Sequence, residues 1–153
     1  MPDPQSYWPR ATRARRRNTP TNPNYAEVAE RAGHRCEYCR VTEALFPDYF
    51  EVEHVLPENW GGLTFPGNLA LACSACNDTK RTTLGLLHPQ TRLPVWLFHP
   101  RIDSWDAEFT LNLESGEIKG RTEKWRVTAE CLGMNLDKPR AARSLWIALG
   151  VYP

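Results

Sequence analysis

The stretch FEVEHVLPENWGGLTFPGNLALACSACNDTK, Phe50–Lys80, decides the fold and holds most of the residues that carry chemistry. An apolar run breaks for the adjacent pair Glu53 and His54, passes through a loop, and returns as a second apolar run that ends in two cysteines. A buried core strand rarely places an acid beside an imidazole at its centre. The stretch therefore predicts short strands that border a site.

The same stretch divides into elements by its turn residues. Residues 50–56 are predicted as a strand that ends at a proline, and residues 57–67 as a loop rich in proline and glycine. Residues 69–72 are predicted as a second short strand. A helix is then expected from about Cys76 to Leu84.

Two cysteine pairs, each with two intervening residues, frame this region: Cys36, Cys39, Cys73 and Cys76. In a cytosolic chain such pairs indicate a metal site and not disulfides. Each pair lies in a tight turn known as a zinc knuckle, and two knuckles supply four thiolates at the corners of a tetrahedron. We therefore expect a structural zinc ion without an open coordination position. The alternative is that four unpaired structural cysteines share this spacing by chance.

Helices and a hairpin are predicted on both sides of this region. Asn24, with Glu27 reaching back to it, should cap a helix that ends at Gly33. Residues 107–121 alternate around a turn and predict a hairpin. Two further helices are then expected, with faces marked by Trp125, Thr128, Ala129 and Leu132 and by Ala142, Leu145, Trp146 and Leu149.

The sequence therefore predicts an α+β protein in three parts. Residues 1–22 form a flexible basic arm, residues 23–87 a zinc-clipped core, and residues 88–153 an extension that packs on the core because it is too small to fold alone. The chain has 153 residues with a net charge of +1. No apolar run is long enough to span a membrane and no secretory signal is evident, so a soluble, cytoplasmic protein is expected.

Four arginines stand close together near the start of the chain, at Arg13, Arg15, Arg16 and Arg17. Their surroundings are rich in Pro, Thr and Asn and show no apolar periodicity. One interpretation is a solvated, disordered tail. The other is an arm that neutralises phosphates of a nucleic acid.

The segment from Cys36 to Lys80 resembles the HNH endonuclease family, also called ββα-metal nucleases. The resemblance rests on CEYC, EVEHVLPENWGG and GNLALACSACNDTK in this order and spacing. It implies a small ββα-metal core with two zinc knuckles. Two positions depart from the usual pattern, because Glu53 replaces an aspartate and Asn77 replaces the last histidine.

The resemblance also implies a role for each site residue, in a metal-dependent endonuclease acting on DNA. His54 would be the general base, and Glu53 and Asn77 would hold one Mg²⁺ or Mn²⁺ ion. Asn68 would fix the loop that positions His54. Two basic residues would contact phosphate, Lys80 and more weakly Arg81.

Each of these residues also has a purely structural interpretation. His54 can be a core imidazole or a spare zinc ligand, and Asn77 can simply cap a helix. Glu53 and Lys80 can be solvated surface residues. Trp60 can be a core plug, or a wedge or stacking surface for DNA.

Two other functions fit the same motifs. The chain can be a non-catalytic zinc module that binds nucleic acid or protein, which would have no use for His54 together with Asn77. It can also be a nuclease subunit that a protein partner activates.

Overall fold

The computed structural model describes residues 20–153, and this part of the chain contains five α-helices and three two-stranded antiparallel sheets. The predicted α+β class is thus confirmed. None of the helices in this part is long and apolar enough to cross a membrane. The arginine cluster of the predicted basic arm lies outside the described residues.

Helix α1 spans Tyr25–Arg31 and is followed by Gly33 in the left-handed region, with φ of +60°. The glycine ends the helix as predicted, because a residue without Cβ adopts this conformation at little cost. The expected capping by Asn24 and Glu27 is not observed. Asn24 has helical angles (φ −88°, ψ −3°), and a capping side chain requires an extended backbone at this position.

Strands β1 (Glu51–His54) and β2 (Leu69–Ala72) pair antiparallel, with His54 opposite Leu69. Helix α2 follows almost at once over Ser74–Lys80. It begins and ends earlier than predicted, because Cys73 already leaves the strand as an N-cap with extended backbone. At the other end Arg81, with φ of +46°, terminates it.

The C-terminal part consists of a short hairpin, a one-turn helix, a second hairpin and two longer helices. Their bounds are β3 (Gly85–Leu87), β4 (Pro94–Trp96), α3 (Trp105–Glu108), β5 (Phe109–Leu111), β6 (Ile118–Gly120), α4 (Glu123–Cys131) and α5 (Asp137–Ala148). The hairpin β5–β6 and the helices α4 and α5 were predicted. The hairpin β3–β4 was not.

The C-terminal part contacts the first cysteine pair at two points. Trp105 Nε1 donates to the carbonyl oxygen of Tyr38 at 2.8 Å, and Tyr152 donates its hydroxyl proton to the carbonyl oxygen of Cys39 at 2.6 Å. Strand β2 lies nearby and is buried along its whole length. The extension therefore covers one side of the cysteine cluster and joins a single hydrophobic core with it.

Candidate functional site

The sulfur atoms of the two cysteine pairs meet in one small volume. All four Sγ atoms, from Cys36, Cys39, Cys73 and Cys76, lie within 4.8 Å of one another. Cys39 Sγ is 3.8 Å from Cys73 Sγ. A tetrahedral zinc ion with Zn–S bonds of about 2.3 Å separates its sulfurs by about 3.8 Å. The four cysteines are therefore positioned to bind a metal, and the donor set suits zinc.

This proximity changes the acidity of the thiols. Hydrogen bonding with Cys36 lowers the pKa of Cys73, whereas hydrogen bonding with the same neighbour raises the pKa of Cys39 and of Cys76. The first ionised sulfur is stabilised by its neighbours, and further ionisation is opposed because negative charges repel at this distance. Four thiolates in this volume therefore require a cation.

The first cysteine pair is attached to the β1–β2 sheet by the residue between its ligands. Glu37 N donates to the carbonyl oxygen of Leu71 at 2.9 Å, and Leu71 N donates to Glu37 Oε2 at 2.8 Å. Leu71 lies in β2, opposite Val52 of β1. The cluster thus joins three segments, namely the first knuckle, the strand pair and the start of α2.

A cleft of about 470 Å³ opens between the end of β1 and α2. Its lining includes His54, Asn77, Glu53 and Arg81, four residues that the sequence marked as site candidates. Glu58 also lines the cleft. Sequence reasoning missed Glu58 because it lies in the loop, where a single acid forms no motif.

The imidazole of His54 contacts a hydroxyl group on the loop between β1 and β2. Its Nε2 lies 2.8 Å from Thr64 Oγ1, and 3.9 Å from Glu58 Oε1. The side chain is 21 % exposed, so the imidazole is accessible from the cleft. Among residues 20–153 its Nδ1 has no hydrogen-bond partner. Thr64 carries no sequence signal that could have identified it.

Asn77 lies inside α2 and donates its Nδ2 proton to the carboxylate of Glu51. The N-cap of α2 is Cys73, so the interpretation of Asn77 as a simple helix cap is wrong. A carboxylate accepts hydrogen bonds and cannot donate them. The contact with Glu51 therefore fixes the orientation of the amide and identifies its other atom as the oxygen, an acceptor.

Residues 36–83 match the family model described as HNH endonuclease. The chain contains an HNH domain. The match begins at the first cysteine of the cluster, includes β1, β2 and α2, and ends in the segment after α2. It covers less than half of the chain. No curated protein and no solved structure matches the chain.

Asn68 organises the loop of the HNH domain from the inside. Its Oδ1 accepts from Leu56 N at 2.8 Å, and its Nδ2 donates to the carbonyl oxygens of Leu56 and Leu63 at 3.0 and 2.9 Å. The side chain is buried, with 4 % exposure. Asn68 thus joins the two ends of the loop that carries Thr64.

Glu53 and Lys80 lie in the interior of the HNH domain and contact each other. Lys80 Nζ lies 2.9 Å from Glu53 Oε2 and 3.3 Å from the carbonyl oxygen of His54. Tyr38 donates its hydroxyl proton to Glu53 Oε1, and burial together with Glu53 raises the pKa of Tyr38 well above its ordinary value. Tyr38 is therefore a neutral donor.

The expectation for Lys80 needs correction on this geometry. Lys80 is 1 % exposed, so it does not present its ammonium group to a phosphate as expected. Glu53 is 6 % exposed, and its two oxygens accept from Tyr38 and Lys80, but it also lines the cleft, so its role as an ion ligand stays a prediction. The interpretation of either residue as a solvated surface residue is also wrong, because both are buried.

Arg81 and Trp60 remain at the surface of the HNH domain. Arg81 lines the cleft and is exposed, with its Nε donating to the carbonyl oxygen of Asp78 at 3.0 Å. Trp60 is 61 % exposed, and its Nε1 donates to the carbonyl oxygen of Thr82 at 3.0 Å. The interpretation of Trp60 as a core plug is therefore wrong, and its ring is available for stacking.

Proposed function

We propose that the chain is a metal-dependent endonuclease that hydrolyses phosphodiester bonds in DNA. The observation that carries this proposal is that His54 and Asn77 line one open cleft within a segment that matches the HNH family. A structural zinc ion on the four cysteines would hold the elements that carry these residues. Zinc-binding thiols require reducing conditions, so the proposal includes a cytoplasmic location.

His54 is the general base of the proposed reaction. Imidazole accepts protons near neutral pH, which suits the deprotonation of a water molecule. The contact between Nε2 and Thr64 fixes the ring and leaves Nδ1 for the proton. Arg81 at the cleft rim would contact the phosphate, and the exposed ring of Trp60 would stack on a base.

The cleft has oxygen donors that suit a Mg²⁺ or Mn²⁺ ion. The amide oxygen of Asn77 and the carboxylate of Glu58 are the protein groups that would hold it. Mg²⁺ commonly keeps several waters and uses only one or two carboxylates together with substrate phosphate. When bound, the ion would neutralise charge on the phosphate and on the leaving oxygen. Glu53 lines the same cleft, and its carboxylate also accepts from Tyr38 and Lys80.

The test is nicking of supercoiled plasmid by the purified zinc-loaded chain in Mg²⁺ or Mn²⁺. The proposal predicts nicked, relaxed plasmid with either ion. It predicts intact plasmid when EDTA removes this ion during a short incubation that ends before zinc is lost from the cysteines. A zinc-loaded, folded chain that leaves plasmid intact in both ions contradicts the proposal and favours a non-catalytic binding module.

Thr64→Val should reduce the nicking rate by about threefold to tenfold, because a hydrogen bond of about 0.5–1.5 kcal/mol that fixes the ring of His54 is removed. Thr64→Ser keeps the hydroxyl group and should retain the rate of the parent chain. Single-turnover kinetics at saturating plasmid measure the effect. Equal rates for the Val and Ser variants would show that Thr64 does not position the base.

A further inference from the structure

We infer that Tyr38, Glu53 and Lys80 form a buried positioning network that holds His54 in place, and that Glu53 does not ligate the catalytic ion. This inference rests on the proposed function for the role of His54. Lys80 and Tyr38 are side chains to which the sequence and the family pattern assign no such role.

The first step concerns Lys80, an ammonium group in the protein interior. A buried charge is costly unless it is paired and hydrogen-bonded. Lys80 is 1 % exposed and has two acceptors, Glu53 Oε2 at 2.9 Å and the carbonyl oxygen of His54 at 3.3 Å. The second acceptor belongs to the backbone of the proposed base. Lys80 therefore ties α2 to the end of β1 at the residue that matters most for the reaction.

The second step concerns the other oxygen of Glu53. Tyr38 is fully buried, donates its hydroxyl proton to Glu53 Oε1, and is itself held by Trp105 Nε1 through its carbonyl oxygen at 2.8 Å. Tyr38 lies between Cys36 and Cys39 in the first knuckle. The network therefore runs from the cysteine cluster through Glu53 and Lys80 to His54.

The third step concerns a divalent ion bound at Glu53. A carboxylate oxygen can contact more than one partner, so a divalent ion on Glu53 would share the carboxylate with the Lys80 ammonium group. This arrangement would place two cations side by side in the interior, where like charges repel strongly because the effective dielectric constant is low. Asn77 and Glu58 line the same cleft, and among the described residues neither is paired with a lysine. The geometry thus assigns Glu53 to positioning.

A double-mutant cycle with Glu53→Gln and Lys80→Met tests the inference. Each single variant should lower the melting temperature and the kcat of nicking by tenfold or more, with little change in KM. The double variant should lose less stability than the sum of the two single variants, because no unpaired charge remains. Mn²⁺ affinity, measured by titration calorimetry on the zinc-loaded protein, should change less than twofold in the double variant.

Two results would overturn the inference. If Glu53 ligates the ion, Glu53→Gln and the double variant weaken Mn²⁺ binding by tenfold or more, whereas Lys80→Met tightens it by removing a competing cation. If Lys80 contacts phosphate, Lys80→Met raises KM and leaves the melting temperature unchanged. A chain that nicks no plasmid refutes the proposed function. The melting temperatures of the double-mutant cycle and the Mn²⁺ titration would still show whether the network exists.

A second ion pair in the same chain provides the matched control. Lys124 Nζ lies 2.6 Å from Asp103 Oδ1, and neither residue lines the cleft. Asp103→Asn and Lys124→Met should leave kcat and Mn²⁺ affinity unchanged. Tyr38→Phe should lower kcat about threefold at unchanged zinc content, and a parent-like kcat for Tyr38→Phe would remove the tyrosine from the network.

Discussion

His54→Ala is expected to reduce the rate of plasmid nicking by about 10²–10⁴-fold, the usual contribution of a general base. Its imidazole lies at the end of β1 in the cleft, and Nδ1 is the nitrogen that would accept the proton. Alanine cannot accept this proton. Single-turnover nicking in Mn²⁺ at saturating plasmid measures the effect on the chemical step.

The fold of the His54→Ala variant should remain intact, because the ring is partly exposed and contacts a loop hydroxyl. Zinc content and melting temperature should therefore equal those of the parent chain. His88→Ala is the matched control, since His88 caps the β3–β4 turn by accepting from Gln90 N and Thr91 N. Equal nicking by His54→Ala and the parent chain would refute the assignment of the base.

Loss of the metal at the cysteine cluster is expected to unfold the HNH domain. Zinc binding to such sites contributes about 10–16 kcal/mol in small zinc domains, whereas whole domains are stable by only about 5–15 kcal/mol. Cys73→Ser removes the ligand at the N-cap of α2, between β2 and the helix. This variant should bind zinc poorly and lose its cooperative thermal transition.

Cys131→Ser is the control for this prediction. Cys131 lies at the end of α4, outside the cluster, and burial raises the pKa of its thiol. Its substitution should lower the melting temperature only slightly and leave zinc content unchanged. If both serine variants melt at the same temperature, the cluster does not stabilise the fold.

Much of the HNH domain could be predicted from the sequence because its signals are local. The apolar run before Cys73 defines β2, and the paired cysteines indicate the metal site whatever the packing around them. Gly33 ends a helix with a positive φ angle, which its lack of a side chain permits. The role of Asn68 as a loop clamp also agrees with the expectation from the family resemblance.

The surroundings of Glu53 and Lys80 could not be predicted, because they depend on a residue far away in the sequence. The spacing of Asn77 and Lys80 predicts that both lie on the same face of α2, but it does not predict whether Lys80 is buried. Whether Lys80 is solvated depends on the segments packed around it, and Tyr38 of the first knuckle shares its partner Glu53. The strand β4 was missed for a different reason, since it begins at Pro94, a residue that disfavours strands.

Anomalous scattering from crystals of the chain grown with zinc, Mn²⁺ and a phosphorothioate DNA is the most direct test of the account. We predict a zinc peak among the four cysteine sulfurs and a manganese peak in the cleft beside Asn77, with His54 facing the phosphate. A manganese peak outside the cleft, or sulfurs without zinc in a folded chain, would contradict the claim that zinc bound by the four cysteines assembles a nuclease site.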